Sequence, residues 1–311
     1  MQRTVINLGL DNGSGNLQLV TSTTRFLMEN KIDTDRVLDK ELSKNENSFN
    51  VIYKDKQYLV GAAANNPTGQ VEGKHTERHL ISMLTAFSQS IPNNSVVNMA
   101  TGESMDKYFN TKHKETLINN FTGEHEIIVD GKTYNYTIQK VHVLPEGIGH
   151  KLLNPSHYKG RITWTVDLGA STANFLYCNG LLPDEFYSKS FQLGMHKLVS
   201  NIKTSISRHG YGKSVPTENI NNYIKNGCNI PEIQEIINQE VFTLLETFHN
   251  SLVTTIDLDD VFVEEIEFLG GTSIRLEKYI KQRYEKAVFI ENGMWTNAEG
   301  FAKFAIAKFS K

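Results

Sequence analysis

The chain has 311 residues, 39% of them hydrophobic and 22% charged, and a formal net charge of −3. That is the composition of a soluble globular protein long enough for two domains, and its charge gives no electrostatic support for direct nucleic-acid or membrane binding. No run approaches the ~18 apolar residues of a membrane span, no secretion signal is expected at an N-terminus leading straight into a strand, and Cys178 and Cys228, far apart and without metal-ligand spacing, point to a reduced cytoplasmic setting.

Asn7 to Val20, NLGLDNGSGNLQLV, reads as a strand ending at Asp11, a turn through Asn12-Gly13-Ser14-Gly15, and a second strand in which Leu17 and Leu19 alternate with Asn16, Gln18 and Val20. The alternation is that of a half-buried strand. Two readings of the turn stand side by side. It is an ordinary surface hairpin, or its glycines let backbone N–H groups converge on a phosphate while Asp11 offers a carboxylate to hydrated Mg²⁺.

Met28 to Asn50 is polar and charged and is expected to be surface loop, followed by a hairpin over Phe49 to Gly61. Glu72 to Gln89 carries Leu80, Met83, Leu84 and Phe87 at helical spacing. Val96 to Met99 reads as a buried strand running into Thr101-Gly102, and Glu103 to Phe121 as a helix. Asp130-Gly131-Lys132 separates two β-rich runs; although Gly131-Lys132-Thr133 looks like the end of a Walker A loop, the earlier glycine falls on Glu126, so a hairpin turn is expected. Val141 to Leu144 reads as a further short strand. It delivers Pro145-Glu146-Gly147, and the proline holds Glu146 rigidly where catalytic groups of open sheets often lie.

Arg161 to Gly180, RITWTVDLGASTANFLYCNG, repeats the grammar of the first hairpin: a β-rich run ending in Asp167, a turn through Gly169-Ala170-Ser171-Thr172, and an apolar run. Two such hairpins half a chain apart imply two related domains. An amphipathic helix follows from Met195, residues 213–229 are polar with Pro216 and Gly227 as breakers, and Glu232 to Leu252 forms a long helix. Ile266 to Leu269 is a strand feeding Gly270-Gly271-Thr272-Ser273, then come a helix from about Ile274 to Tyr284, a strand at Ala287 to Ile290 and a last helix from Asn297.

In these segments the chain resembles the actin, Hsp70 and sugar-kinase ATPase superfamily, and within it the ParM-type bacterial actins that segregate plasmids. The first phosphate motif is matched by Leu10 to Asn16, the second by Val166 to Thr172, the adenosine motif by Phe268 to Ser273, and the connecting segments by Val141 to Gly149 and Asn297 to Gly300. The narrower ParM likeness rests on Thr101-Gly102 followed by Tyr108, on Leu144-Pro145-Glu146, and on a length without room for the larger actin insertions.

The resemblance implies an α/β actin-like fold of two related domains, residues 1–160 joined by a C-terminal helix at 291–311, and residues 161–290, each a mixed sheet flanked by helices, with nucleotide in the cleft between them. It implies that Asp11 and Asp167 hold Mg²⁺ through its waters and that Glu146 orients or deprotonates the attacking water. Asn12, Gly13, Ser14, Gly15, Asn16 and Gln18, with Gly169, Ala170, Ser171 and Thr172, would bind phosphates, and Gly270, Gly271, Thr272 and Ser273 the nucleoside. The implied function is ATP or GTP hydrolysis coupled to head-to-tail filament growth, which moves plasmid DNA through a ParR-like adaptor on a centromere-like site. The alternatives within the superfamily are a small-molecule kinase or polyphosphate phosphatase, for which Glu146 is a poor match to the usual aspartate base, and an Hsp70-like chaperone ATPase. One departure stands out. Many relatives carry lysine where this chain has Gln18, so either nucleotide is held more weakly or a basic residue elsewhere supplies the charge.

Overall fold

A computed structural model describes residues 3–38, 47–69, 73–211, 215–255 and 265–310. Its strands are β1 (Val5–Asn12), β2 (Asn16–Val20), β3 (Arg25–Glu29), β4 (Ile32–Thr34), β5 (Ser48–Tyr53), β6 (Lys56–Gly61), β7 (Val96–Glu103), β8 (Gly123–Val129), β9 (Lys132–Pro145), β10 (Ile162–Leu168), β11 (Ala173–Asn179), β12 (Leu182–Pro183), β13 (Lys189–Phe191), β14 (Glu265–Leu269) and β15 (Ala287–Phe289). The helices are α1 (Glu77–Ser90), α2 (Met105–Tyr108), α3 (Thr111–Phe121), α4 (Gly149–Leu153), α5 (Pro155–Tyr158), α6 (Met195–Arg208), α7 (Thr217–Asn226), α8 (Pro231–Thr255), α9 (Gly271–Arg275), α10 (Glu277–Arg283) and α11 (Thr296–Phe309). They divide into two compact units, Met1–His157 with Trp295–Lys311, and Tyr158–Met294.

The first unit is built on a mixed sheet in the order β3-β2-β1-β7-β9-β8-β5-β6-β4. Leu8, Leu10, Leu17 and Leu19 are fully buried and join Met83, Leu84 and Phe87 of α1 in one core. The opposite face of β2 is covered too, because Val20 packs on Ala298 and Ala302 of α11. Hence β2 is buried from Leu17 to Val20 instead of showing the half-buried alternation expected of it. Helix α11 can lie this close because a Cβ on Gly9 would fall 2.1 Å from the Ala298 carbonyl oxygen, and one on Gly300 would fall 2.1 Å from the Gly149 carbonyl oxygen. Only glycine fits those crossings.

The second unit repeats the plan on a smaller scale. Its sheet runs β12-β11-β10-β14-β15, with β13 also on β11. In both units a hairpin opens the sheet and the next strands add in parallel: β7 then β9 beside β1, β14 then β15 beside β10. Leu198 and Ile202 of α6, Ile237, Val241 and Phe248 of α8, and Phe175 and Phe268 of the sheet fill the second core, with the Phe175 and Phe248 rings 4.5 Å apart. Burying one such side chain is worth about 1.5–3 kcal/mol.

Several local expectations change. The stretch expected to be surface loop contains the end of β3, all of β4 and the start of β5, and Asp33 within it is buried because it accepts from the backbone and side-chain amides of Asn65 and Asn66 and from Arg36. Residues 39–46 of that stretch, Glu72 at the expected start of the first helix, and residues 213 and 214 lie outside the described residues. Glu103 ends β7, and the helix expected from it is two, divided where the Asn110 side chain accepts from His113 N and caps α3. Strand β9 is continuous from Lys132 to Pro145 and takes in the short strand expected at Val141 to Leu144; a bulge shifts its register beside Val97 and Asn98. The Asp130-Gly131 turn has positive φ at both residues (49° and 79°), as a two-residue hairpin requires. Helix α7 forms in a polar stretch because Ile220 and Ile224, one turn apart, are both fully buried.

Candidate functional site: two phosphate-type hairpins and a buried Lys–Glu pair

In the first unit Asp11 stands near the end of β1, directly opposite Gln18 of β2. The turn between them is braced from below. The fully buried Asn30 side chain donates to Asn12 Oδ1 at 2.8 Å and to the Gly13 carbonyl at 2.7 Å, while its own N–H donates to the Gly15 carbonyl at 3.0 Å. Because a trans peptide directs N–H opposite to C=O, the amides of Ser14 and Asn16 point away from Asn30. Asn12 is itself anchored by donating to the His79 carbonyl at 3.2 Å.

Glu146 follows β9 and is held from two sides. Its N–H donates to the Glu103 carbonyl at 2.9 Å, and the next residue, Gly147 (φ 86°), donates to Asn297 Oδ1 at 3.1 Å. Asn297 also reaches Asp11 Oδ2, at 3.4 Å. Gly102 leaves room for this carboxylate, since a Cβ there would lie 3.3 Å from Glu146 Cγ and 2.8 Å from the Phe301 ring. The charge facing Glu146 is Lys74, from the segment between β6 and α1. Its Nζ lies 2.6 Å from Glu146 Oε1 and 3.5 Å from Asp11 Oδ1.

In the second unit the corresponding residues keep the same spacing. Asp167 lies directly opposite Asn174 across β10 and β11, and Gly169 N–H closes the turn onto the Thr172 carbonyl at 2.8 Å. The Gly169 carbonyl accepts from Thr272 Oγ1 at 2.7 Å and from Met195 N at 3.3 Å, and the Ala170 carbonyl from His196 N at 2.9 Å. By the same peptide geometry the Ala170 and Ser171 amides face the other way. Gly270 (φ 91°) lies against Asp167: a Cβ there would sit 2.5 Å from Asp167 Oδ1. The turn before α9 and the second hairpin therefore form one surface, with Asp167, Gly169, Gly270 and Thr272 together and Ser273 buried behind them.

Residues 9–149 match the family of the actin-like proteins' N-terminal domain. In structure the chain is similar to Ta0583, an archaeal actin homologue, in its ADP complex, with a TM-score of 0.78 at 16% identity over 98% of this chain and 100% of that one. It is similar also to the pSK41 ParM protein (TM-score 0.70, 14% identity, 98% of each chain) and to the ParM of a 15-stranded filament from Clostridium botulinum (0.76, 18%, 99% of this chain and 100% of that one). The chain has the actin-like fold. No curated protein sequence matches it.

The electrostatics of the first unit's site centre on Lys74. Burial works against its charge, but Glu146 first, then Asp11 and Glu103, outweigh burial and hold the ammonium above the ordinary lysine range. Burial pushes the Glu146 carboxyl up, helped by Asp11 and opposed by Lys74. Glu103 lies on the other side of the balance: burial raises it, but the His113 hydrogen bond at 3.0 Å and the Lys74 charge bring it below the usual glutamate range.

Asn30, Lys74, Glu103 and Asn297 are the residues that sequence reading did not place in the site. Asn297 fell inside a connecting segment already recognised. The other three carry no local pattern, being one asparagine, one lysine and one glutamate among many, and only the folded chain brings them to the hairpin.

Proposed function

We propose that this protein is a nucleotide-hydrolysing, filament-forming actin-like protein of the ParM type, which moves plasmid DNA through a DNA-bound adaptor. The observation that carries the reading is the matched pair of hairpins, Asp11 opposite Gln18 and Asp167 opposite Asn174, each at the same place in the same sheet plan. Such pairing suits two phosphate grips acting on one nucleotide, ATP or GTP, with the nucleoside on Gly270 to Ser273. Among the relatives in structure, one is described bound to ADP and another as a filament. Both descriptions support the reading.

Among the described residues no group of three or more His, Cys, Asp or Glu side chains is arranged to hold a metal ion. Mg²⁺ gives up its waters reluctantly and binds through one or two carboxylates plus phosphate oxygens. Asp11 and Asp167 would be the carboxylates for it, and the ion would supply charge neutralisation at the phosphates. Glu146 takes the proton of the attacking water as the water oxygen bonds to the terminal phosphorus and the bridging P–O bond breaks. Burial, which raises its pKa, makes it the stronger base.

Subunits joined head to tail make an open polymer, and the contact with DNA is left to an adaptor because the chain carries a net charge of −3. Among the described residues no helix is long and apolar enough to cross a membrane; we place the protein in the cytoplasm. High-speed sedimentation with Mg-ATP and with Mg-GTP tests the proposal. Nucleotide-dependent pelleting is expected, and no pelleting with either over a broad range of concentration and salt would refute it.

A further inference from the structure

We propose that Lys74 is the phosphate-binding cation of the first unit, exchanging its Glu146 partner for the terminal phosphate of a bound nucleoside triphosphate; the inference rests on the nucleotide reading above. The position opposite Asp11 is filled by Gln18, which brings no charge. The charge arrives instead from the segment that precedes α1. Lys74 is no wandering surface lysine: it is 8% exposed, its N–H donates to Glu103 Oε1 at 3.0 Å, and Glu103 is fixed in turn by His113 Nε2 at 3.0 Å and Ser104 N at 3.2 Å. This chain of bonds delivers the ammonium to Glu146 at 2.6 Å and to within 3.5 Å of Asp11, beside the turn assigned to phosphate.

The distances set the behaviour. At 3.5 Å the Asp11 contact is a charge contact and not a hydrogen bond, so Glu146 is the one close partner of the pair. An incoming phosphate at the Asp11 turn carries more negative charge than Glu146 and competes for the same ammonium. As Lys74 turns to the phosphate, Glu146 loses its paired cation and becomes available to a water. The base is thus held back until a triphosphate is present. Lys74 also distinguishes triphosphate from diphosphate, because only the former presents the group that draws it away.

The test measures binding of N-methylanthraniloyl ATP, ADP, GTP and GDP to the full chain, below the concentration at which it assembles. Lys74→Met is made in the natural chain and again with Glu146→Gln, which removes the carboxylate that would otherwise be left buried without its cation. Loss of one charge-assisted contact predicts triphosphate affinity lowered ~10-fold or more in both backgrounds, with a smaller change for diphosphate. Unchanged triphosphate affinity in the Glu146→Gln background would reduce Lys74 to a counter-ion of Glu146 and overturn the proposal. If the natural chain binds none of the four nucleotides, the nucleotide reading fails and this inference falls with it.

Discussion

Asn30 Nδ2 donates to Asn12 Oδ1 at 2.8 Å, and both residues are fully buried. Through this contact the end of β3 holds the turn between β1 and β2 in shape. Asn30→Ala leaves Asn12 Oδ1 and the Gly13 carbonyl short of a donor, at a cost of about 1–3 kcal/mol. Thermal denaturation should show the lower stability, and a nucleotide titration should show weaker binding, since the lost bond to the Gly13 carbonyl directs the Ser14 amide. A normal melting temperature with normal affinity would show that the turn needs no brace.

That contact also marks what can be read from the chain. The two hairpins, the Gly270-Gly271 turn and the long α8 are legible because each depends on neighbours a few residues away: strand alternation, turn glycines and helical spacing. β4 is not, since its central residue Asp33 is buried by partners far along the chain, Asn65 and Asn66. Pro145-Glu146 announces itself by the proline. Lys74 does not, because its position is set by Glu103 and His113, and nothing within its own segment distinguishes it from other lysines.

The crossing of α11 over β1 depends on Gly9. A methyl group there would meet the Ala298 carbonyl oxygen at 2.1 Å and Ala302 N at 2.2 Å, both backbone atoms that can move only with the helix. Gly9→Ala should therefore cost about 3 kcal/mol or more, read as a lower midpoint in urea. Because α11 also carries Asn297, nucleotide binding should weaken in step. An unchanged midpoint would mean that the helix moves aside freely.

His79 sets an acid limit on stability. Burial, and then the Lys74 charge, lower its pKa to about 3 from the ordinary 6.5. The folded state thus keeps the ring neutral where the unfolded chain would protonate it. The contribution is complete above pH 6.5 and is lost progressively as pH falls toward 3. Denaturant midpoints measured from pH 7 to pH 4 should fall, and His79→Gln should flatten the slope whatever it does to the stability at pH 7. An equally steep slope in that variant would place the acid sensitivity elsewhere.

Glu146→Gln keeps the shape of the side chain and removes the base. Phosphate release should slow ~10²-fold or more, while nucleotide-dependent assembly survives and polymers persist longer after a pulse of nucleotide. Release at the natural rate would remove Glu146 from the chemistry.

The most direct measurement records phosphate release and light scattering together, with Mg-ATP and with Mg-GTP, across a series of protein concentrations. Coupled hydrolysis and assembly predict a threshold concentration above which scattering appears and release per subunit rises with it. Release proportional to protein concentration with no scattering at any concentration would contradict the filament account and favour an enzyme acting on a small molecule.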